Sequence, residues 1–294
     1  MTKETIGFIG TGVMGTSMAR NLMKAGYPVH LYTRTKSRAA DLLNEGAEWK
    51  DSVASLAQAA DIIITIVGYP RDVEEVYFGE NGILEQARPG SYLIDMTTSS
   101  PQLAKEVGNQ AASKQLHAFD APVSGGDIGA RNGTLSIMVG GEESSFPAIL
   151  PVLESMGKNI VLQGPAGSGQ HTKMCNQIAI AAGMMGVVES MIYAEQAGLD
   201  PKRVLQSIEH GAAGSWSLSN LAPRMIEEDF APGFYVKHFI KDMGLAIESA
   251  EQMDIPVPGL ILAKQLYEQL SKAGGENEGT QALYRYYHMM KNDN

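Results

Sequence analysis

Between Ile6 and Tyr32 the chain passes through Ile6-Gly7-Phe8-Ile9, then Gly10-Thr11-Gly12-Val13-Met14-Gly15, then a helically patterned stretch closed by Gly26, then Val29-His30-Leu31-Tyr32. The short apolar runs read as buried strands, and a glycine in the Gly26 position ends a helix as a C-cap. Strand, glycine turn, helix and strand within about 30 residues form the βαβ unit of a parallel, doubly wound sheet. In that setting Gly10 and Gly12 permit a tight turn and the close approach of a pyrophosphate. Gly15 lets helix and strand touch, and the helix N-terminus offers oriented N–H groups to the anion. Gly10, Thr11, Gly12, Val13, Met14 and Gly15 are therefore expected to hold a dinucleotide.

The end of the second strand decides which dinucleotide. A site for NAD places Asp or Glu there to accept from the ribose 2′-hydroxyl. This chain has Thr33-Arg34-Thr35-Lys36-Ser37-Arg38, with no acid before Asp41. Guanidinium and hydroxyl groups suit a 2′-phosphate, and cations at a helix start otherwise oppose the helix dipole. Thr33, Arg34, Thr35 and Arg38 are expected to favour NADP(H) over NAD(H).

Strands and helices continue to alternate. Strands are expected at Asp61–Val67, Ser91–Met96, Phe119–Val123, Leu135–Val139 and Ile160–Leu162. Ligands lie at the C-terminal ends of such strands, so Val67, Gly68 and Thr98 should border the nicotinamide half. Gly164-Pro165-Ala166-Gly167-Ser168-Gly169 is the expected boundary, giving an α/β domain over 1–163 and a second domain over 164–294. Beyond it strand signals vanish, and helices are expected around 170–197, 201–210, 216–228, 236–253, 256–273 and 279–291.

No charged residue occurs from Met174 to Val188. A helix apolar all round is a buried core element or a membrane span. Fifteen uncharged residues fall short of the ~20 a bilayer needs, so a helix buried in the middle of the protein or in a subunit interface is expected, with Cys175 as a small buried residue. Lys173 stands at its entrance, and Asn176 and Gln177 follow at i+3 and i+4, near the same face. A formal net charge of −10 argues against nucleic acid or an anionic membrane as partner. One cysteine excludes an intramolecular disulfide and fits a cytoplasmic protein. The six histidines show no metal-ligand spacing, so no metal is expected.

With Asp120-Ala121-Pro122-Val123-Ser124-Gly125-Gly126, Gly129-Ala130, Gly133-Thr134-Leu135, Gly167-Ser168-Gly169, Lys173, Asn176 and Lys241-Asp242 all in order, the chain resembles the β-hydroxyacid dehydrogenases. That family includes 3-hydroxyisobutyrate dehydrogenase and tartronate semialdehyde reductase. The resemblance implies an N-terminal Rossmann domain, an all-α C-terminal domain like that of 6-phosphogluconate dehydrogenase, a long shared helix, and a homodimer or homotetramer. It makes Lys173 the catalytic acid/base, and Ser124, Gly125 and Gly126 the holders of a substrate carboxylate. Asn176 would orient the hydroxyl or carbonyl, and Thr98 and Lys241 would touch the cofactor, with Asp242 supporting Lys241. The position after Asn176 is often a second Asn in the family; here it is Gln177.

Hydride transfer to a carbonyl builds charge on oxygen, and the protein must supply position and a proton. A lysine can supply that proton, and burial or a second cation such as Lys241 would bring its basicity toward a working range. The backbone N–H groups of Ser124-Gly125-Gly126 can converge as an anion nest. Trp216 is read first as core packing and second as a wall of the substrate site. The expected activity is reversible, NADP(H)-preferring reduction of a small carboxylate-bearing aldehyde or ketone. 3-Hydroxyisobutyrate, tartronate semialdehyde, glyoxylate and succinic semialdehyde are the candidates. L-Serine oxidation, imine reduction and a non-catalytic dinucleotide-binding scaffold are the alternatives.

Overall fold

The computed structural model describes residues 3–292. The chain forms two compact units, Met1–Lys173 and Met174–Asn294. The boundary expected from sequence is the glycine-rich turn before the long helix Ser168–Gln196; the division in the structure falls inside that helix.

In the first unit, nine strands form one sheet: β1 Ile6–Ile9, β2 Val29–Tyr32, β3 Glu48–Trp49, β4 Ile62–Thr65, β5 Tyr92–Asp95, β6 His117–Asp120, β7 Val123–Ser124, β8 Leu135–Gly140 and β9 Gly157–Gly164. Their order is β3-β2-β1-β4-β5-β6-β8-β7, with β9 also paired to β8. β1 pairs in parallel with β2 on one side and β4 on the other, Ile6 lying opposite both Val29 and Ile62. That junction is where the chain reverses its direction of travel across the sheet, the place where such folds bind ligands. Both faces are covered. Phe8, Leu31, Ile64, Ile94 and Val139 pack into one core layer, and Ile9, Ile63, Leu93 and Tyr77 into the other. A strand buried on both sides explains why β1 and β4 are unbroken apolar runs.

One expected strand is divided. β6 stops at Asp120, and Val123-Ser124 forms a separate short strand antiparallel to β8. Pro122, lying between them, has no N–H to give a ladder. β3 is only two residues long and has no period to betray it.

In the second unit the long helix is joined by helices Pro201–Ile208, Trp216–Asn220, Ala222–Ile226, Val236–Glu251, Pro258–Leu270 and Leu283–Asn292. Among the described residues its only sheet-like pairing is one isolated bridge, Tyr235 to Gly279. Phe239 and Tyr267 meet edge to face at 5.0 Å within its core, and the Tyr267 hydroxyl donates to the Thr280 carbonyl at 2.8 Å. The long helix is apolar and long enough to cross a membrane by composition alone, but its side chains sort onto faces. Met174, Gln177, Ala181, Met184, Val188 and Met191 are buried, while Cys175, Ala179, Ala182, Gly183 and Gly186 are exposed. Within one chain the helix is therefore not covered on every side, which leaves a subunit interface as the remaining form of that expectation, and the expectation of a buried Cys175 fails in the single chain. Composition cannot separate a face covered by its own chain from one left open when both are uncharged.

Candidate functional site

The glycine turn is built by close approach. Gly10 adopts φ +104°, and a Cβ there would strike the Ile66 carbonyl oxygen, while a Cβ on Gly15 would strike that of Gly10. The Gly10 N–H donates to the Tyr32 carbonyl at 3.1 Å and the Ile66 N–H to Ile9 at 3.0 Å, so the turn is tied to the ends of β2 and β4. Gly12, at the N-cap of helix Val13–Lys24, contributes no side-chain cap, and the first turn carries no acid. A Cβ on Gly12 would meet nothing within 4 Å. Open N–H groups, open space and a buried Thr11 Oγ1 without a hydrogen-bond partner together fit an anionic ligand at this helix start.

Thr33, Arg34, Thr35 and Arg38 follow β2 and lead into a 3-10 turn, Lys36–Ala39. Arg34 is mostly exposed, and its Nη1 lies 3.2 Å from Oδ1 of the buried Asp72. The other oxygen of Asp72 accepts the Tyr69 N–H at 3.0 Å. Asp72 thus faces a candidate phosphate reader, a role that nothing in its position on the helix Pro70–Phe78 announces.

Val67 and Gly68 follow β4, and Thr98 follows β5, as expected for strand ends. The Val67 N–H donates to Thr97 Oγ1 at 2.9 Å. Beneath them, Asp95 Oδ1 accepts from Thr65 Oγ1 at 2.8 Å and from the Thr97 N–H at 3.1 Å. The loop is fastened to the long helix by Gln170, which is fully buried. Its Oε1 accepts from the Ser99 N–H at 3.0 Å, and its Nε2 donates to the Thr97 carbonyl at 2.7 Å.

Asp120 fastens the next strand end. Its two oxygens accept the N–H groups of Gly167 and Gln170, each at 2.7 Å. Burial pushes this carboxyl up to about 6; the N–H bonds pull the other way, and the charge of Asp95 adds a smaller upward push. Three residues on, Val123 presents its carbonyl to the Lys173 ammonium at 2.8 Å. Lys173 is 6% exposed. A buried lysine is thereby anchored beside Ser124-Gly125-Gly126, where Gly125 and Gly126 have φ +127° and +62°. Successive residues of this kind turn N–H groups toward one another.

The remaining candidates belong to the second unit. Asn176 Nδ2 donates to Gln177 Oε1 at 2.8 Å, Gln177 Nε2 donates to Asp242 Oδ2 at 2.7 Å, and Asp242 Oδ1 forms an ion pair with Lys241 at 2.9 Å. Asp242 and Gln177 are buried. Burial, then the nearby Lys241 charge, pulls His238 below the usual imidazole range. Trp216 stands at the first position of helix Trp216–Asn220, 57% exposed. Its reading as core packing is overturned: the helix buries Ser217 and Leu218 instead. No group of three or more His, Cys, Asp or Glu among the described residues is placed to hold a metal ion.

Sequence reasoning gave no role to Gln170, Asp72 or Thr97, and quoted Asp120 only as part of a motif. Gln170 carried one faint signal, its place three residues before Lys173 on a helix.

Residues 5–164 match the family model of the NAD binding domain of 6-phosphogluconate dehydrogenase. Residues 167–287 match that of the NAD-binding domain of NADP-dependent 3-hydroxyisobutyrate dehydrogenase. The chain is 64% identical to the uncharacterized oxidoreductase YkwC of Bacillus subtilis, over 97% of this chain and 99% of that one. It is 40% identical to the 2-hydroxy-3-oxopropionate reductase of Escherichia coli, over 98% of each. It is similar in structure to a 3-hydroxyisobutyrate dehydrogenase of Mycobacterium tuberculosis solved with L-serine: TM-score 0.88, 31% identity, 97% of this chain and 99% of that one.

Proposed function

Because the chain belongs to the β-hydroxyacid dehydrogenases, NAD(P)-dependent oxidoreductases of the 3-hydroxyisobutyrate dehydrogenase type, we propose that it interconverts a small 3-hydroxy acid and its carboxylate-bearing aldehyde or ketone, with NADP(H) preferred. The observation that carries this reading is the anchoring of the buried Lys173 ammonium to Val123, directly before Ser124-Gly125-Gly126. A nicotinamide dinucleotide, when bound, supplies or takes up the hydride. The glycine turn would hold its pyrophosphate, Arg34, Thr33, Thr35 and Arg38 its 2′-phosphate, and Val67, Gly68, Thr98 and Lys241 its nicotinamide half.

Lys173 then acts as the acid/base at the reacting oxygen. In reduction its ammonium gives up a proton as charge develops there; in oxidation the neutral amine takes that proton back. The Val123 carbonyl accepts one of the three N–H bonds of the ammonium and so aims the others. Ser124 and the N–H groups of Gly125 and Gly126 hold the carboxylate, Asn176 orients the hydroxyl or carbonyl, and Trp216 serves as a wall. The second family model, that of an NADP-dependent enzyme, and the cations after β2 both favour NADP(H).

The uncharged exposed face of the long helix, with Ala179, Ala182, Gly183 and Gly186, supports a homodimer or homotetramer. Small residues allow two helices to approach closely at little entropic cost.

The test is a panel of 3-hydroxyisobutyrate, L-serine, tartronate semialdehyde, glyoxylate and succinic semialdehyde, run with NADPH/NADP and NADH/NAD in parallel on wild type and Lys173→Ala. Turnover of at least one member is expected, falling about 10²–10⁴-fold in the variant. Near-wild-type turnover in the alanine form, or none of the panel turned over, refutes the reading.

A further inference from the structure

The carboxamide of Asn176 can face either way round, since its oxygen and nitrogen are nearly the same size. Which way it faces decides whether it meets a substrate with an acceptor or with donors alone. The orientation is dictated from Asp242. A carboxylate only accepts, so the Gln177 atom turned toward it must be the amide nitrogen, as found at 2.7 Å. Gln177 must then turn its oxygen to Asn176, and Asn176 must answer with Nδ2, as found at 2.8 Å. One N–H of Asn176 is consumed; Oδ1 and the second N–H take no part in the described bonds.

We propose that Gln177, held by Asp242, is a positioning residue that fixes the carboxamide of Asn176 so that its Oδ1 is presented as an acceptor. It thereby selects substrates bearing a hydroxyl donor at the reacting carbon. The inference rests on the proposed placement of Asn176 at the substrate. Lys241 holds the far side of the Asp242 carboxylate, at 2.9 Å. The Gln177 amide and the Lys241 ammonium thus meet the two oxygens of one carboxylate, both from the donor side. A second Asn in place of Gln177 would be one methylene shorter and would reach Asp242 only if the helices approached more closely. Gln177 is thus suited to the spacing between helices Ser168–Gln196 and Val236–Glu251 in this protein.

Gln177→Glu tests the polarity and not merely the packing, because it is isosteric. With a proton on the introduced carboxyl, the side chain still donates to Asp242 and accepts from Asn176. Without it, two carboxylates confront each other and the chain of bonds is broken. Such a pair holds one proton to a raised pH. The charged and titratable groups shown close to Asp242 are Lys241 and His238 on helix Val236–Glu251, and both are unchanged by the substitution. Relative to wild type at each pH, kcat of Gln177→Glu for the hydroxy acid is expected to fall at least tenfold between pH 6 and pH 9. The dissociation constant for NADPH and the melting temperature should track wild type more closely. Gln177→Met, without charge, is expected to lose kcat about tenfold at every pH. A Gln177→Glu enzyme that keeps the wild-type profile throughout overturns the proposal. So does a loss of kcat matched by equal loss of NADPH binding, or failure of both variants to fold, since either assigns Gln177 to structure alone. Absence of turnover in wild type on the whole panel would instead count against the proposed function.

Discussion

Asp120 is pulled in two directions, and substitution by Asn separates them. Its carboxylate accepts two backbone N–H groups at 2.7 Å, which favours charge, yet it is buried, which opposes charge, and burial prevails: the carboxyl is pushed from 3.8 up to about 6. A folded-state value above the unfolded one means that the native protein holds this proton more tightly than the unfolded chain. Below pH ~4 the group is protonated in both states and contributes no pH dependence. As pH rises from about 4 to about 6 the unfolded chain gives up its proton more readily, and native stability falls. Above pH 6 the loss is complete. At about 1.4 kcal/mol per pH unit the gap is worth about 3 kcal/mol. Asp120→Asn cannot ionise, but its amide nitrogen confronts one of the two N–H donors, a fixed penalty of about 1–3 kcal/mol. The two effects are distinguishable because only the first varies with pH. The chain has two tryptophans, Trp49 in the first unit and Trp216 in the second, so a Trp216→Phe background leaves Trp49 fluorescence to report the unit that contains Asp120. Urea unfolding at pH 4, 5, 6 and 7 should show the stability of the Asp120 protein, relative to the Asn variant, declining by about 3 kcal/mol across the series. A flat difference refutes the balance argued here. A difference that rises with pH means that the two N–H bonds outweigh burial.

Two further outcomes follow from the same contacts. Arg34→Ala should raise KM for NADPH about 10–100-fold, the value of a charge-assisted bond to phosphate, while KM for NADH changes less than threefold; equal effects on both in steady-state kinetics would remove Arg34 from the 2′-phosphate. Ala182→Arg, on the exposed face of the long helix, should shift the mass measured by light scattering from a multiple to a single chain, and an unchanged mass would place the association surface elsewhere.

The elements legible in the sequence are those whose pattern is local. β1, the glycine turn, helix Val13–Lys24 and β2 were readable because turn and periodicity lie side by side, and the bounds of β1 and β2 match the expected residues. Lys173 could be singled out because it borders an uncharged run. Gln170 could not: its partners Thr97 and Ser99 lie 73 and 71 residues away, and a glutamine at a helix start looks like a surface residue. Asp72 reads as an ordinary helix-capping acid until Arg34 is seen beside it. The exposure of Cys175 was hidden for a different reason, since small uncharged side chains fit a core and an open face equally well. Gln177 is intermediate. Its spacing from Lys173 was visible, but its polarity depends on Asp242, 65 residues on.

The first two turns of the long helix explain why so much of the first unit converges on it. Gln170 holds the loop after β5, the N–H groups of Gly167 and Gln170 hold Asp120 at the end of β6, and Lys173 holds Val123 at the start of β7. Three strand ends are thus indexed to one rigid helix start. Gly169 is part of the cause: a Cβ there would press on the carbonyls of Met138 and Asp120, so only glycine lets the helix seat this deeply. Side chains fixed on helices and strands keep a catalytic geometry better than those on loops. A lysine on a mobile loop would lose rotamer freedom, up to about 2 kcal/mol, each time it met its substrate. For Lys173 in its proposed role that cost is met on folding, by the helix and by the Val123 carbonyl. The same seating accounts for tolerating a buried carboxyl at Asp120 that costs stability at neutral pH. Replacing it by an apolar residue would leave two N–H groups at the helix start without acceptors, and the ammonium of Lys173 would lose the framework that aims it.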